Sequence, residues 1–520
     1  MSIGIRALLL AGIALCTMFT CGPWNVPIAA WIGMLLTLRY FRDTTTPVRD
    51  FVVLSLLTGA ITAVLWQGAV PDIVTAPLPS AVLFLVMAPL GMLAYVLDRL
   101  VHRRAEPLRQ EQTRRGATVL ASLAFPLAMT AWDTLGTSSP DVGTFGSAGY
   151  SQAGATPVMQ LAAVGGLALV TFTVAWTASL ANLLWERRPE RPVSALVSLG
   201  VVGAALVVGG VRSAGSADET VRVGGVSLGN DVLPAALAAY QADDGFDARV
   251  AEAHAYLIEN AVRLAEDDVQ VVVFSEAAGF GTATDIDLLR LDLGEVASTH
   301  GVWIALPTLV LGGEGPAVNQ VEIIDPTGQV VLTHVKYGGN AFEGTLRGDQ
   351  DIPFVDTPFG RLAAVICWDA DFPGIVAQVG RDDVDLLLVP ANDWAEVRAI
   401  HSDMSTFRAV ENGTAVFRQT SSGVTLAVDA YGRVLDRVDS FSDASGAPGE
   451  LIVDLPLHDP PVAFPTVQNL VGLISQVGTL GFIVWLVVAR LRHGRTGRGS
   501  PSRDSARADG PELEPSGRRG

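Results

Sequence analysis

The chain has 520 residues, a mean hydropathy of +0.39 and only 17% charged residues, too apolar for an ordinary soluble protein of this length, so membrane spans are expected. Its charge of −18 is lopsided: residues 212–466 hold 39 Asp and Glu against 14 Lys and Arg, a net of −25, which leaves +7 for the remainder. A segment that acidic repels a phosphate backbone, and nucleic acid is excluded as a partner.

Taken in chain order, apolar runs long enough to span lie at 3–21, 24–41, 51–68, 80–98, 117–135, 157–184 and 194–211, with an eighth at 467–489. The first has the look of a signal peptide, but six further spans follow it, and a retained helix is expected. Arginine clusters follow spans two (Arg39, Arg42, Arg49), four (Arg99, Arg103, Arg104, Arg109, Arg114, Arg115) and six (Arg187, Arg188, Arg191), whereas the loops at 69–79 and 136–156 carry no basic residue. The positive-inside rule then places both termini in the cytoplasm and residues 212–466 outside. The expected domains are a seven-helix membrane domain (1–211), an outer domain (212–466), an eighth span (467–489) and a disordered basic cytoplasmic tail (490–520).

Within the outer domain, strands are expected at Val221–Leu228, Val269–Ser275, Val302–Pro307, Val321–Ile324, Val330–Val335, Leu362–Cys367, Asp385–Pro390, 414–420, 424–428 and 450–454. Helical patterns cover 233–266, broken near Asp243–Gly245, then 285–299, 373–380 and 395–412. Gly turns make hairpins of Val321–Gly328 and Leu426–Gly432. Strands alternating with helices indicate a layered α/β domain.

Three polar residues end apolar strands in that domain. Glu276 follows Val271–Ser275, Lys336 follows Val330–Val335, and Cys367 ends Leu362–Ile366. Lys336 is the only lysine among 35 Lys and Arg, and Cys367 has no partner cysteine in its region, the other two being Cys16 and Cys21. A lysine is a compact point charge that a guanidinium cannot replace in a tight pocket. A thiol at a strand end before a helix is placed as a nucleophile. The three suit one division of labour, in which Glu276 takes the thiol proton, Cys367 attacks a carbonyl, and Lys336 holds the developing oxyanion.

Glu, Lys and Cys in this order resemble the nitrilase (carbon-nitrogen hydrolase) superfamily. The downstream run Asn392-Asp393-Trp394, His401 and Phe407–Gly413 resembles its apolipoprotein N-acyltransferase branch, as do Tyr150-Ser151-Gln152 and the Asn182 end of span six. The resemblance implies an extracytoplasmic α-β-β-α sandwich inserted before the last span of a plasma-membrane protein. It also implies a ping-pong reaction without a cofactor. Cys367 would take an acyl chain from a membrane phospholipid and pass it to the α-amino group of a diacylglyceryl-cysteine at a lipoprotein N-terminus. A monomer is expected.

The chain departs from the family in places. Its base follows Phe274-Ser275 in place of Trp-Pro, the run after the lysine is Tyr337–Glu343, and the cysteine precedes Trp368-Asp369 in place of Tyr-Glu. Glu343 is expected to orient Lys336 or the substrate, with Trp368, Asp369, Asn392, Trp394 and Glu411 as supporting residues. Asn392 and Asp393 either line the pocket or cap the following helix, and Arg408 and Glu411 either serve the site or pair with each other. His254, His300, His334, His401 and His458 lack metal spacing, so no metal is expected, and His334 is expected to pack. The rival reading is a membrane-anchored amidase that uses the same three residues. A scaffold without turnover is disfavoured by their presence.

Overall fold

The computed structural model describes residues 2–20, 22–69, 77–110, 115–138, 141–186, 192–217, 219–441 and 449–496. Cys21, most of the loop expected at 69–79, Arg114, Arg187, Arg188, Arg191 and the tail beyond 496 lie outside the described residues.

Among the described residues, six helices are long and apolar enough to cross a membrane: Pro47–Leu65, Val82–Ala105, Val119–Gly136, Ala162–Trp185, Ala195–Arg212 and Leu470–Arg492. The first two expected spans form helices Ile3–Met18 and Pro27–Asp43, of 16 and 17 residues, shorter than the roughly 20 that a bilayer core demands. Val52, Val86, Val201, Val208, Leu473 and Leu480 point outward, as side chains facing hydrocarbon would. Inside, Arg42 clamps Asp98 through two bonds of 2.7 and 2.8 Å, tying two helices by a buried pair.

The sixth expected span is not one helix. A short turn, Thr156–Met159, precedes Ala162–Trp185, and that helix is interrupted at Gly165 and Gly166. Gly166 has φ +63°, and the Phe464 ring lies 2.5 Å from where a Cβ would stand, so only glycine fits. Hydropathy takes the glycine pair as part of a continuous apolar run because it does not register backbone handedness.

Among the described residues the α/β domain has thirteen strands: β1 Glu219–Val226, β2 Val271–Phe274, β3 Gly279–Thr282, β4 Trp303–Leu311, β5 Val318–Ile324, β6 Val330–Val335, β7 Phe354–Thr357, β8 Gly360–Ala364, β9 Leu386–Ala391, β10 Ala415–Thr420, β11 Val424–Val428, β12 Val434–Asp439 and β13 Leu451–Leu457. One sheet runs β13-β1-β2-β4-β5-β6, with β3 also paired to β4, and the other runs β12-β11-β10-β9-β8-β7. Alternate residues of each strand face opposite layers. Val221, Val223, Val271 and Val273 meet Leu362, Ala364, Leu386 and Phe417 between the sheets. On the outer faces, Val272, Phe274 and Ile304 pack against helices Phe246–Glu266 and Ala283–His300. Ala363, Leu387 and Val416 pack against helices Pro373–Arg381 and Arg398–Asn412. Both sheets are therefore covered on both faces, which is why their central strands read as unbroken Val, Leu and Ile runs. The expected α-β-β-α layering is present, as are both hairpins, with β5 antiparallel to β6 and β11 to β12.

The second sheet's helix Arg398–Asn412 docks the domain on the membrane helices. Ile400, Met404, Phe407 and Val410 share a core with Trp66, Tyr150, Met159 and Leu167. Trp394 donates to the Gly68 carbonyl at 2.7 Å, and the Thr144 amide donates to the Asp371 carbonyl at 2.8 Å.

Candidate active site

Strand ends from both sheets converge on Cys367. The expected strand 362–367 ends earlier, at Ala364, and Cys367 opens a 3₁₀ turn, Cys367–Asp371, with φ +46°. A non-glycine residue held in the left-handed region is strained, and it persists only because its surroundings fix it. The fixing group is Asp369, whose Oδ2 accepts the Ile366 amide at 2.9 Å and whose Oδ1 accepts the amides of Tyr337 and Gly338 at 2.9 and 2.7 Å. Asp369 thus ties the cysteine turn to the lysine loop. His334 completes the tie through Nε2, 2.9 Å from Asp369 Oδ2, so it does more than pack.

Lys336 is fully buried at the end of β6. Its Nζ donates to Glu276 Oε1 at 2.6 Å and also to Glu343 Oε1. Asn319, which the sequence does not single out, donates to the same Glu276 oxygen at 2.8 Å. Glu276 follows β2, and its amide reaches the Ala391 carbonyl of the other sheet at 3.4 Å. Burial lowers the affinity of Lys336 for its proton, but the charges of Glu276, Cys367 and Glu343 outweigh burial and hold it well above the ordinary lysine range. The Cys367 thiol is pushed up to about 11, by burial first and Glu276 second, with Lys336 and His401 pulling the other way. Burial also raises Glu343, partly offset by Lys336.

A second ionic group borders the thiol. His401 Nδ1 lies 2.9 Å from Asp393 Oδ1 and its Nε2 3.4 Å from Asp371 Oδ2. Arg418 donates to both Asp393 oxygens at 2.8 Å. The capping role considered for Asn392 and Asp393 does not occur: helix Arg398–Asn412 has Val397 at its N-cap without a side-chain bond, because Asp393 is consumed by Arg418 and His401. Asn392 instead offers its backbone carbonyl, 4.0 Å from Cys367 Sγ. Of Asp371, His401, Asp393 and Arg418, the sequence singles out only Asp393 and His401, and neither as a neighbour of the thiol. Among the described residues, Cys367, Asp393 and His401 bring ligand-type atoms within 4.8 Å of one another, the spacing a metal would use. The two-pronged bond from Arg418 already places a cation on that carboxylate.

Aromatic rings wall the site. Trp368 stacks on Phe342 at 5.4 Å and meets Trp394 at 6.3 Å, Phe145 at 6.2 Å and His401 at 5.7 Å. Glu411 lies elsewhere. It pairs with Arg408 at 2.9 Å, both fully buried, beside the Leu167 amide freed by the broken membrane helix. Burial lifts its carboxyl to about 7.

Residues 236–457 match the family Carbon-nitrogen hydrolase, and residues 11–180 match Apolipoprotein N-acyltransferase N-terminal domain. An Apolipoprotein N-acyltransferase of Pseudomonas putida is 28% identical over 319 residues, covering 57% of this chain and 62% of the relative. A Deaminated glutathione amidase of Yersinia enterocolitica is 22% identical over 174 residues, covering 29% of this chain and 61% of the relative. The chain therefore spans less than two thirds of the length of these relatives. Among solved structures, an amidase from Nesterenkonia sp. is similar with a TM-score of 0.38 and 19% identity, over 48% of this chain and 94% of that one.

Proposed function

We propose, for a chain that belongs to the carbon-nitrogen hydrolase superfamily and to its apolipoprotein N-acyltransferase branch, that it transfers an acyl chain from a membrane phospholipid to the N-terminal amine of a diacylglyceryl-lipoprotein. The observation that carries this reading is a buried thiol, flanked by a lysine bonded to two glutamates, in a domain whose docking helix shares its core with apolar helices. Both substrates are lipid-anchored, so their reacting groups must meet next to the bilayer.

In the first half-reaction the thiol is protonated at neutral pH, and a base must act as it attacks. Glu276 takes that proton, Cys367 Sγ bonds to the ester carbonyl carbon, and Lys336 stabilises the oxyanion. As the tetrahedral intermediate collapses, the C–O bond breaks and Glu276 gives the proton to the departing oxygen, which expels a lysophospholipid and leaves a thioester with Glu276 ionised again. In the second, an amine nitrogen bonds to the same carbon, the C–S bond breaks, and the thiol is restored. Glu343 holds Lys336 in place, Asp369 fixes the turn that carries the nucleophile, and Trp368 and Trp394 exclude water while the thioester waits for its amine. Glu411 serves docking in this reading, and the Asn392 carbonyl shapes the floor beneath sulfur. The catalytic domain faces the extracytoplasmic side, with both termini inside.

Incubating the purified protein with phospholipid and a diacylglyceryl-cysteine peptide tests the proposal. N-acyl peptide and lysophospholipid in equal amounts are expected, and free fatty acid with unmodified peptide would overturn it in favour of hydrolysis. The similarity to amidases keeps hydrolysis as the second reading.

A further inference from the structure

His401, Asp371, Asp393 and Arg418 take no part in the acyl transfer just described, yet all four are nearly or fully buried around the nucleophile. His401 enters from the docking helix, Asp393 follows β9, Arg418 lies on β10, and Asp371 closes the turn that Cys367 opens. The imidazole is held by the edges and faces of Phe145, Trp368 and Trp394, at 5.6, 5.7 and 6.3 Å. Its Nδ1 is fixed at 2.9 Å on Asp393 and its Nε2 lies 3.4 Å from Asp371 Oδ2, buried and outside hydrogen-bond geometry, while imidazole, Asp393 carboxylate and thiol bring ligand-type atoms within 4.8 Å of one another. Asp371 Oδ2 is likewise buried and without one.

We propose that His401 is a fixed imidazolium which sets the charge balance at Cys367, and that Asp371 and the Cys367 thiolate compete for it. The inference rests on Cys367 being the nucleophile. When the thioester is discharged, the acceptor nitrogen forms its bond to the carbonyl carbon and the C–S electron pair returns to sulfur. The surplus proton on nitrogen passes to Glu276 and from there to sulfur. Between those moments sulfur is a thiolate, and His401 adds a second cation to that of Lys336, whose Nζ is also engaged by Glu276 and Glu343. Burial disfavours a charged imidazole, but Asp371 and Asp393 outweigh it and hold His401 well above the usual histidine range, so it is a standing charge and not a base. The charged groups acting on sulfur are Glu276 and Lys336 from the first sheet, Asp393 and Arg418 from the second and His401 from the helix, with Glu343 of the loop held on Lys336 and Asp371 of the turn on His401.

Two substitutions should therefore act in opposite directions. Alkylation of Cys367 by iodoacetamide, followed by peptide mass in the solubilised full-length protein from about pH 7 to 10, reads the thiolate fraction directly. His401→Gln, which loses the charge, is expected to slow alkylation by roughly tenfold at a given pH and to move the profile upward by about one unit. Asp371→Asn is expected to speed it and move the profile downward. His401→Asn provides a second neutral variant, and melting temperature reports whether each is folded. Equal rates in all variants, or slowing by both substitutions, would overturn the inference while leaving the nucleophile in place. A wild-type Cys367 that resists alkylation at every pH would overturn both the inference and the reading beneath it.

Discussion

At the scale of single residues, the site is built from buried charged groups whose state is set by their neighbours. Lys336 is fully enclosed, and a guanidinium has no room between Glu276 and Glu343. Lys336→Arg should therefore lose nearly as much activity as Lys336→Ala, by at least about 10²-fold, the usual loss when an oxyanion donor is removed. Turnover assays of both variants check this, and an active arginine variant would assign Lys336 a structural role. Cys367→Ala should abolish turnover while the melting temperature stays close to wild type. With a thiol near 11, raising the pH from neutrality increases the thiolate, so alkylation of Cys367 should accelerate continuously toward that value; a plateau near pH 8 would contradict the burial and Glu276 effects. A lone lysine and an unpaired cysteine at strand ends were legible in the sequence. The roles of Asn319, Asp371 and Arg418 were not, because each is an ordinary residue whose partner is distant in sequence: Glu276 for Asn319, Asp393 for Arg418, and His401 of the docking helix for Asp371.

At the scale of elements, the differences from expectation have physical causes. Central strands such as β2 and β9 are apolar on both faces and stood out, whereas β7 (Phe354–Thr357) and β12 (Val434–Asp439) are short edge strands, largely exposed, with polar residues breaking their apolar runs, and β3 is glycine-rich. Helix boundaries in the α/β domain were legible from Gly245 and Pro373, which start helices there. The break at Gly165-Gly166 was not. Gly166→Ala should destabilise the protein by about 1–3 kcal/mol, from left-handed strain, with the Phe464 contact adding to it. A melting temperature in detergent that does not fall would contradict the fit. The Arg408–Glu411 pair on the docking helix makes a pH prediction. Glu411 has a reference value of 4.5 and a folded value of about 7. Its folded form binds the proton more tightly, so the stability it contributes is complete below 4.5 and is lost as pH rises through 7. Glu411→Gln should flatten the fall in melting temperature across that window; an unchanged slope would contradict it.

At the scale of the whole molecule, a set of apolar helices beside one α/β domain was legible from hydropathy. Eight apolar runs are expected, and among the described residues six helices are long and apolar enough to cross a membrane; Pro27–Asp43 is shorter and mixes apolar residues with Arg39, Arg42 and Asp43, whose partners lie on neighbouring helices or the helix itself. The proposed orientation predicts that a membrane-impermeant thiol reagent labels Cys367 in intact cells whose outer barrier has been removed. Labelling only after lysis would reverse the sidedness. Docking of the domain on apolar helices through Phe407, Trp394 and Thr144 places the thiol where, in this reading, a lipid ester and a lipid-anchored amine meet. The decisive measurement is the intact mass of the purified protein after incubation with phospholipid, with and without a diacylglyceryl-cysteine peptide. An acyl adduct on Cys367 that persists in water and disappears when the peptide is added, with the acyl group recovered on the peptide amine, is the expected result. An adduct that never forms, or that is lost equally fast without peptide, would contradict acyl transfer and leave hydrolysis as the chemistry of this site.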